Sequence, residues 1–219
     1  MRKLAGIIML AAAASAAGCL QKETTHTIYL SPDGRATWVT VERDVRSDEK
    51  DLARRLSEEQ RYILAAEVGD HGVGRGLAVL TPTRLHTRII RSERPFTVVT
   101  DAEFSSLEFA VQRIVWQLGL PADVLVTHDG AVTTLRARID AVQAAENEKA
   151  APDDGRGDAL AELAEDLDCY RFVLTDGRFV SAIGFRLTDD DSVAHPVETK
   201  WDAIVANGGI LELSLSWTR

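Results

Sequence analysis

The parts of this 219-residue chain that could do chemistry are few and scattered. Cys19 directly follows Ala16, Ala17 and Gly18, so a thiol ends a run of tiny residues. Asp189, Asp190 and Asp191 could hold a cation, since calcium favours several carboxylates, but the run lacks the alternating ligand spacing and closing Glu of a calcium loop and reads as a solvated hairpin turn. Gly69, Gly72, Gly74 and Gly76 invite a phosphate-loop reading. Their spacing fits neither G-x-G-x-x-G nor G-x-x-x-x-G-K-[ST], and they follow a helical pattern rather than a strand, so a helix stop and flexible loop is expected. His26, His71, His86, His128 and His195 are dispersed, with no H-E-x-x-H; His86 and His128 could meet across a sheet. Ser181 lacks the two glycines of a nucleophile elbow. Arg156-Gly157-Asp158 spells an adhesion tripeptide of the kind that recurs by chance, with Asp158 read as a helix cap. No catalytic, cofactor-binding or metal-ligating residue is assigned from this set, and no cofactor is implied.

What precedes the first thiol gives it a context. Arg2 and Lys3 form a positive start, and the apolar run from Leu4 to Ala17 follows. As a helix that run covers about 21 Å, short of the roughly 30 Å hydrocarbon core, which fits an export signal better than a span. Ala16-Ala17-Gly18-Cys19 resembles the lipobox of bacterial lipoproteins, with Ala16 where Leu is usual. The resemblance covers about the first twenty residues. It implies a signal peptide over 1–18, lipid attachment at Cys19, and a membrane-anchored chain in the bacterial cell envelope. Two or more acyl chains, each contributing about 0.8 kcal/mol per buried methylene, make such an anchor effectively permanent. In proteobacterial lipoproteins an Asp after the cysteine resembles an inner-membrane mark; Leu20 in its place implies the outer membrane. Residues 19–25 are expected as a short tether of at most about 25 Å. The rest of the chain resembles envelope lipoproteins of no characterised family.

Loss of the leader would take two of the 25 basic residues and none of the 34 acidic ones, deepening the formal charge from −9 to about −11. That balance argues against nucleic acid, whose affinity comes largely from Lys and Arg on phosphates. With Cys19 acylated, no intrachain disulfide is possible for Cys169; beside Tyr170 and Phe172 it reads as a small buried hydrophobe.

The elements that must position these groups are read from periodicity and turn chemistry. Asp33-Gly34, Asp129-Gly130 and Asp176-Gly177 each separate two strand-like runs and suit tight hairpins. Phe179, Ile183, Phe185 and Leu187 share one strand parity. Leu211, Leu213, Leu215 and Trp217 alternate with Glu212, Ser214 and Ser216, predicting a last strand buried on one face, polar on the other, and exposed at a sheet edge. A helix is predicted over Phe104–Gly119, with Ser105 and Glu108 as a capping box and Phe104 with Phe109 as a hydrophobic staple. A second runs Ser47–Val68, capped by Ser47, with Leu52, Leu56, Ile63 and Ala66 inward. Others are expected over Asp158–Asp168 and Glu198–Asn207, with an acidic surface insertion near 144–157. The fold class is therefore α+β: a largely antiparallel sheet built from Asp-Gly hairpins, with two to four helices packed on it, as a single domain over 26–219.

With no convergent catalytic set, the function expected is a non-enzymatic binding or assembly module whose partners are the membrane through Cys19 and an envelope protein or small ligand. The alternative is an envelope hydrolase whose catalytic residues are dispersed.

Overall fold

The computed structural model describes residues 20–117, 121–140, 142, 169–198, 204 and 208–219. Cys19, the 144–157 insertion, the Arg156–Asp158 tripeptide and the helix expected over Asp158–Asp168 lie outside them, as does most of the one expected over Glu198–Asn207.

Eleven strands and three longer helices are described: β1 (Leu20–Leu30), β2 (Ala36–Ser47), α1 (Leu52–Glu67), α2 (Gly72–Ala78), β3 (Arg84–Arg91), β4 (Phe96–Phe104), α3 (Leu107–Gln117), β5 (Ala122–Asp129), β6 (Val132–Asp140), β7 (Tyr170–Leu174), β8 (Arg178–Ile183), β9 (Phe185–Leu187), β10 (Val193–Pro196) and β11 (Ile210–Thr218). They form two sheets, in the orders β3-β4-β2-β1-β7-β10-β9 and β5-β6-β11-β8. All described pairings are antiparallel except β1 with β7. The class is α+β, as the hairpins and helical stripes predict. No helix among the described residues is long and apolar enough to cross a membrane.

Two of the three Asp-Gly turns close hairpins, β1-β2 and β5-β6. Gly34 and Gly130 both take the positive φ such turns need. The third corrects the expectation. Asp176-Gly177 joins β7 of the larger sheet to β8 of the smaller one, so it carries the chain between sheets. Gly184, also at positive φ, carries it back into β9. This corner breaks the parity read through Phe179–Leu187: Phe179 is buried and Ile183 is exposed.

Residues 20–25 are strand, not tether. Leu20 pairs with Ser47 and Thr25 with Val41. Leu20 packs on the cluster of Val45, Tyr62, Ala66 and Val98, and Lys22 bonds Glu42, so apolar contact and an ion pair hold the segment the sequence left loose. β11 is also corrected, since it lies between β6 and β8 rather than at an edge. Ser214 and Ser216 are accordingly buried along with Leu215 and Trp217, and the Ser216 hydroxyl is 2.9 Å from that of Thr134.

Both helix starts move. Ser47 ends β2, and Asp51 caps α1 by accepting from the Arg54 amide at 2.9 Å. The inward face of α1 is Glu59, Tyr62 and Ala66; Leu52 and Leu56, expected inside, are exposed. At α3 the cap is Ser106, whose Oγ accepts from the Phe109 amide at 3.3 Å. Phe104 is buried in β4 while Phe109 is exposed, so the staple is not made.

Candidate functional site

The larger sheet holds its polar chemistry in one line. The register sets Thr87, Thr100, Thr40, His26 and Tyr170 opposite one another across β3, β4, β2, β1 and β7. One step along, Leu85, Ala102, Trp38, Ile28 and Phe172 form an apolar row that belongs to the main core. On the other side lie Ile89, Val98, Glu42 and Thr24, near the smaller apolar cluster beneath α1. The polar row is thus the seam between two hydrophobic clusters.

The glycine-rich octapeptide lays a helix over this seam, where a flexible loop was expected. Gly69 at positive φ turns the chain after α1, with its amide on the Ala66 carbonyl and that of Asp70 on the Ala65 carbonyl. A Cβ on Gly74 would stand 2.3 Å from the Gly69 carbonyl oxygen, so only glycine lets α2 start so close to α1. Val73 and Leu77 then enter the core, and His71, just before α2, drops onto the seam. Its Nε2 lies 3.2 Å from Oε2 of Glu42 and 3.3 Å from the Thr100 hydroxyl. The other oxygen of Glu42 accepts from Lys22 Nζ at 2.7 Å. The Tyr62 ring packs edge-on against His71, its phenol beside the same carboxylate without a well-aligned hydrogen bond.

Electrostatics follow from this enclosure. Burial pushes the Glu42 carboxyl up, but the adjacent His71 imidazole, the Lys22 ammonium and the Tyr62 phenol outweigh it, and the net displacement is downward. Burial, then the nearby Glu42 charge, pushes the Tyr62 phenol up. His26 is driven down to about 4, chiefly by burial; Glu42 pulls it back in part and Lys22 opposes that pull. Geometry fixes its tautomer. The Trp38 indole can only donate, and its Nε1 is 3.2 Å from His26 Nδ1, so Nδ1 must accept and the proton sits on Nε2. The Thr40 hydroxyl, 2.8 Å from the same nitrogen, then also donates to it. Tyr170 stacks on the imidazole at 4.3 Å.

Carboxylate, imidazole and phenol so arranged could pass a proton, yet Glu42 is 1% and His71 2% exposed. No substrate reaches them in this state. The site as built fixes register and holds α1 and α2 on the sheet.

The other residues singled out in the sequence lie apart from it. His86 and His128 belong to different sheets and do not face each other across a ladder. His86 is exposed, 3.8 Å from Asp101, a carboxylate shared with Arg88. His128 bonds the Thr133 hydroxyl at 3.0 Å, and His195 is half-buried in β10. Asp190 turns the β9-β10 hairpin: the Thr188 hydroxyl, then the Ser192 amide, hold it below the usual carboxylate range. Cys169 is half-buried and packs on the main core, raising the adjacent Tyr170 phenol further after burial. Ser181 lies in β8 opposite Ser216.

A cleft of about 810 Å³ that sequence reasoning missed opens between α3 and β5, lined by Phe109, Gln112, Arg113, Val115, Val124 and Leu125 among others. Two of its polar side chains turn to main chain, Gln112 toward the Val124 carbonyl and Arg113 toward that of Val79. The sequence carried no signal for this cleft, because Phe109 reads there as half of a hydrophobic staple.

No family model and no curated protein matches the chain. Among solved structures it is similar to the folded domain of the LppM protein of Mycobacterium tuberculosis, at 9% identity and a TM-score of 0.37, over 90% of this chain and 89% of that one.

Proposed function

We propose that this chain is a lipoprotein of the bacterial cell envelope, processed after Gly18, acylated on Cys19 and held at the outer membrane, whose α+β body binds a partner or small ligand and catalyses nothing. The observation that carries the reading is the junction at Cys19. A basic start, a short apolar run and a small-small-cysteine ending stand directly before Leu20, which pairs with Ser47 in β2. Cleavage before Cys19 would leave the acylated residue directly ahead of β1.

Binding is favoured over catalysis by the state of the acid-base groups. His71 and Glu42 are sealed, and the cross-strand neighbours of Asp101, beside His86, are His86 itself and Val39. The hydroxyl set against His71, that of Thr100, is sealed with it.

The anchor is tested by replacing Cys19 with Ala and fractionating cells: the substituted protein should leave the membrane, and intact mass should show acyl chains on the parent alone. Unchanged retention, or a bare sulfur, overturns it. The binding role is tested by crosslinking in intact cells. One reproducible neighbour supports it; turnover of an envelope substrate by the purified body, with nothing captured, replaces it with the enzyme reading.

A further inference from the structure

We propose that the first two turns of α1 lie on the bilayer that holds the chain, with Leu52 and Leu56 inserted at its surface. This rests on the reading of Cys19 as the lipid attachment point and adds to it an orientation and a second contact.

Three observations lead there. The first is the absence of slack. Consecutive Cα atoms are about 3.8 Å apart, so Cys19 stands within one residue of Leu20, which is already paired with Ser47. The end of the sheet carrying Leu20 and Ser47 therefore meets the membrane wherever Cys19 does. Phe96 pairs with Val45, so the β3-β4 turn with Arg94 lies at that same end, and Arg94 is bonded there to Glu59.

The second is the overhang of α1. The Ser47 amide donates to Glu59 at 3.1 Å, and the Ser47 hydroxyl donates to Glu58. Tyr62, one turn later, lies by Glu42 and Lys22, further into the sheet. The helix thus runs back over the sheet from Glu59 onward, and its first seven residues, about 10 Å of helix, project past the strand ends. The third is what the overhang shows to solvent. Leu52 is 56% and Leu56 47% exposed, one turn apart on the same side.

Charge fits the same occupant. Over 46–56 four basic residues (Arg46, Lys50, Arg54, Arg55) stand against three acidic ones (Asp48, Glu49, Asp51), whereas the chain as a whole carries −9. With a net charge near zero, this segment meets anionic headgroups without the repulsion that the whole chain would feel. Two leucines alone do not hold a protein on lipid. Beside a covalent anchor their insertion is intramolecular, and they fix how the body stands.

The test uses the full-length acylated protein in vesicles of phosphatidylethanolamine and phosphatidylglycerol doped with a phospholipid bearing a diazirine in its acyl chain. After irradiation, peptides covering 52–61 should carry label several-fold above those covering the Asp33-Gly34 turn at the opposite end of the sheet. In L52N/L56N, checked for unchanged circular dichroism, that excess should vanish while Cys19 remains acylated. Even labelling of the two ends, or an excess that survives the double substitution, on protein whose intact mass shows the acyl chains, overturns the orientation and leaves the anchor standing. A bare Cys19 overturns the anchor and this contact with it.

Discussion

Nε2 of His71 and Oε2 of Glu42 are 3.2 Å apart at a point that neither β2 nor α2 could reach alone. The carboxylate comes up from the sheet, the imidazole comes down from the residue before α2, and the turn at Gly69 and close approach at Gly74 bring them together. Glu42 also holds Lys22, so one buried group ties β1, β2 and the helical layer.

Removing that carboxylate leaves Lys22 and His71 without their shared acceptor. Truncating one member of a buried ion pair costs about 3–5 kcal/mol, because the remaining charge keeps its desolvation penalty. Glu42→Ala should therefore lower the stability of the purified body by that order in equilibrium urea unfolding. A double change, Glu42→Met with Lys22→Met, should recover part of it by removing the stranded ammonium. A loss below about 1 kcal/mol in the single variant would show the pair to be spectators.

Acid stability should follow His26. Its folded value is pushed down to about 4 from an ordinary 6.5, so between those limits the unfolded chain binds the proton and the folded one does not. The contribution is fully present above pH 6.5, is lost as pH falls through the window, and is gone near pH 4. Its size is about 3 kcal/mol at most, from about 1.36 kcal/mol for each unit of displacement. Glu42, also held low, adds a loss of the same sign below the ordinary carboxylate range. Unfolding free energy measured from pH 7 to 4 should thus fall steadily, and in His26→Gln the slope between 6.5 and 4 should flatten. An unchanged slope would place the titration on another group.

How much of this was legible in the sequence depended on the range of the interaction. Turn chemistry is local, so all three Asp-Gly turns were found, with positive φ at each glycine. Which strands a turn joins is not local: nothing near Asp176 says that β7 lies beside β1 and β8 beside β11. The inward face of α1 misled for a related reason. Leu52 and Leu56 look like core by type, but the helix overhangs the sheet there, and a buried Glu59 tied to Arg94 and Ser47 takes the place a leucine would hold. The polar seam was invisible because its five members come from five strands, and a lone His or Thr in an alternating run carries no mark of its cross-strand neighbours. The octapeptide glycines read as a helix stop and loop but form a helix over the seam. Their spacing excluded a phosphate loop, while their use in packing two helices needs the fold to be seen.

The shifted caps give a comparison of near neighbours. Ser106 accepts the Phe109 amide, whereas Ser105 precedes the cap. Ser106→Ala should cost about 1 kcal/mol, the usual worth of an N-cap oxygen, and Ser105→Ala only a few tenths. Asp51→Ala should behave like Ser106→Ala, since its carboxylate caps α1 at 2.9 Å. Matched thermal melts of the three variants decide it, and equal losses at Ser105 and Ser106 would restore the capping box read from the sequence.

The glycines of the first and third Asp-Gly turns separate backbone strain from crowding. Gly34 sits at φ +82° with open space where a Cβ would go, and Gly177 at φ +89° with that space filled by the Thr218 carbonyl oxygen, 1.9 Å away. Alanine at Gly34 therefore meets only the left-handed penalty of roughly 1–2 kcal/mol. Alanine at Gly177 adds a clash with main chain that cannot rotate aside, and relief requires the end of β11 to move away from the corner between the sheets. Since Trp217 beside Thr218 is buried against Phe179, that movement opens the core as well. Gly177→Ala should be the more destabilising by several kcal/mol in chemical unfolding and should raise protease sensitivity at the C-terminal strand. Equal losses at the two positions would mean that the β7-β8 connection is an ordinary hairpin after all, with β11 elsewhere.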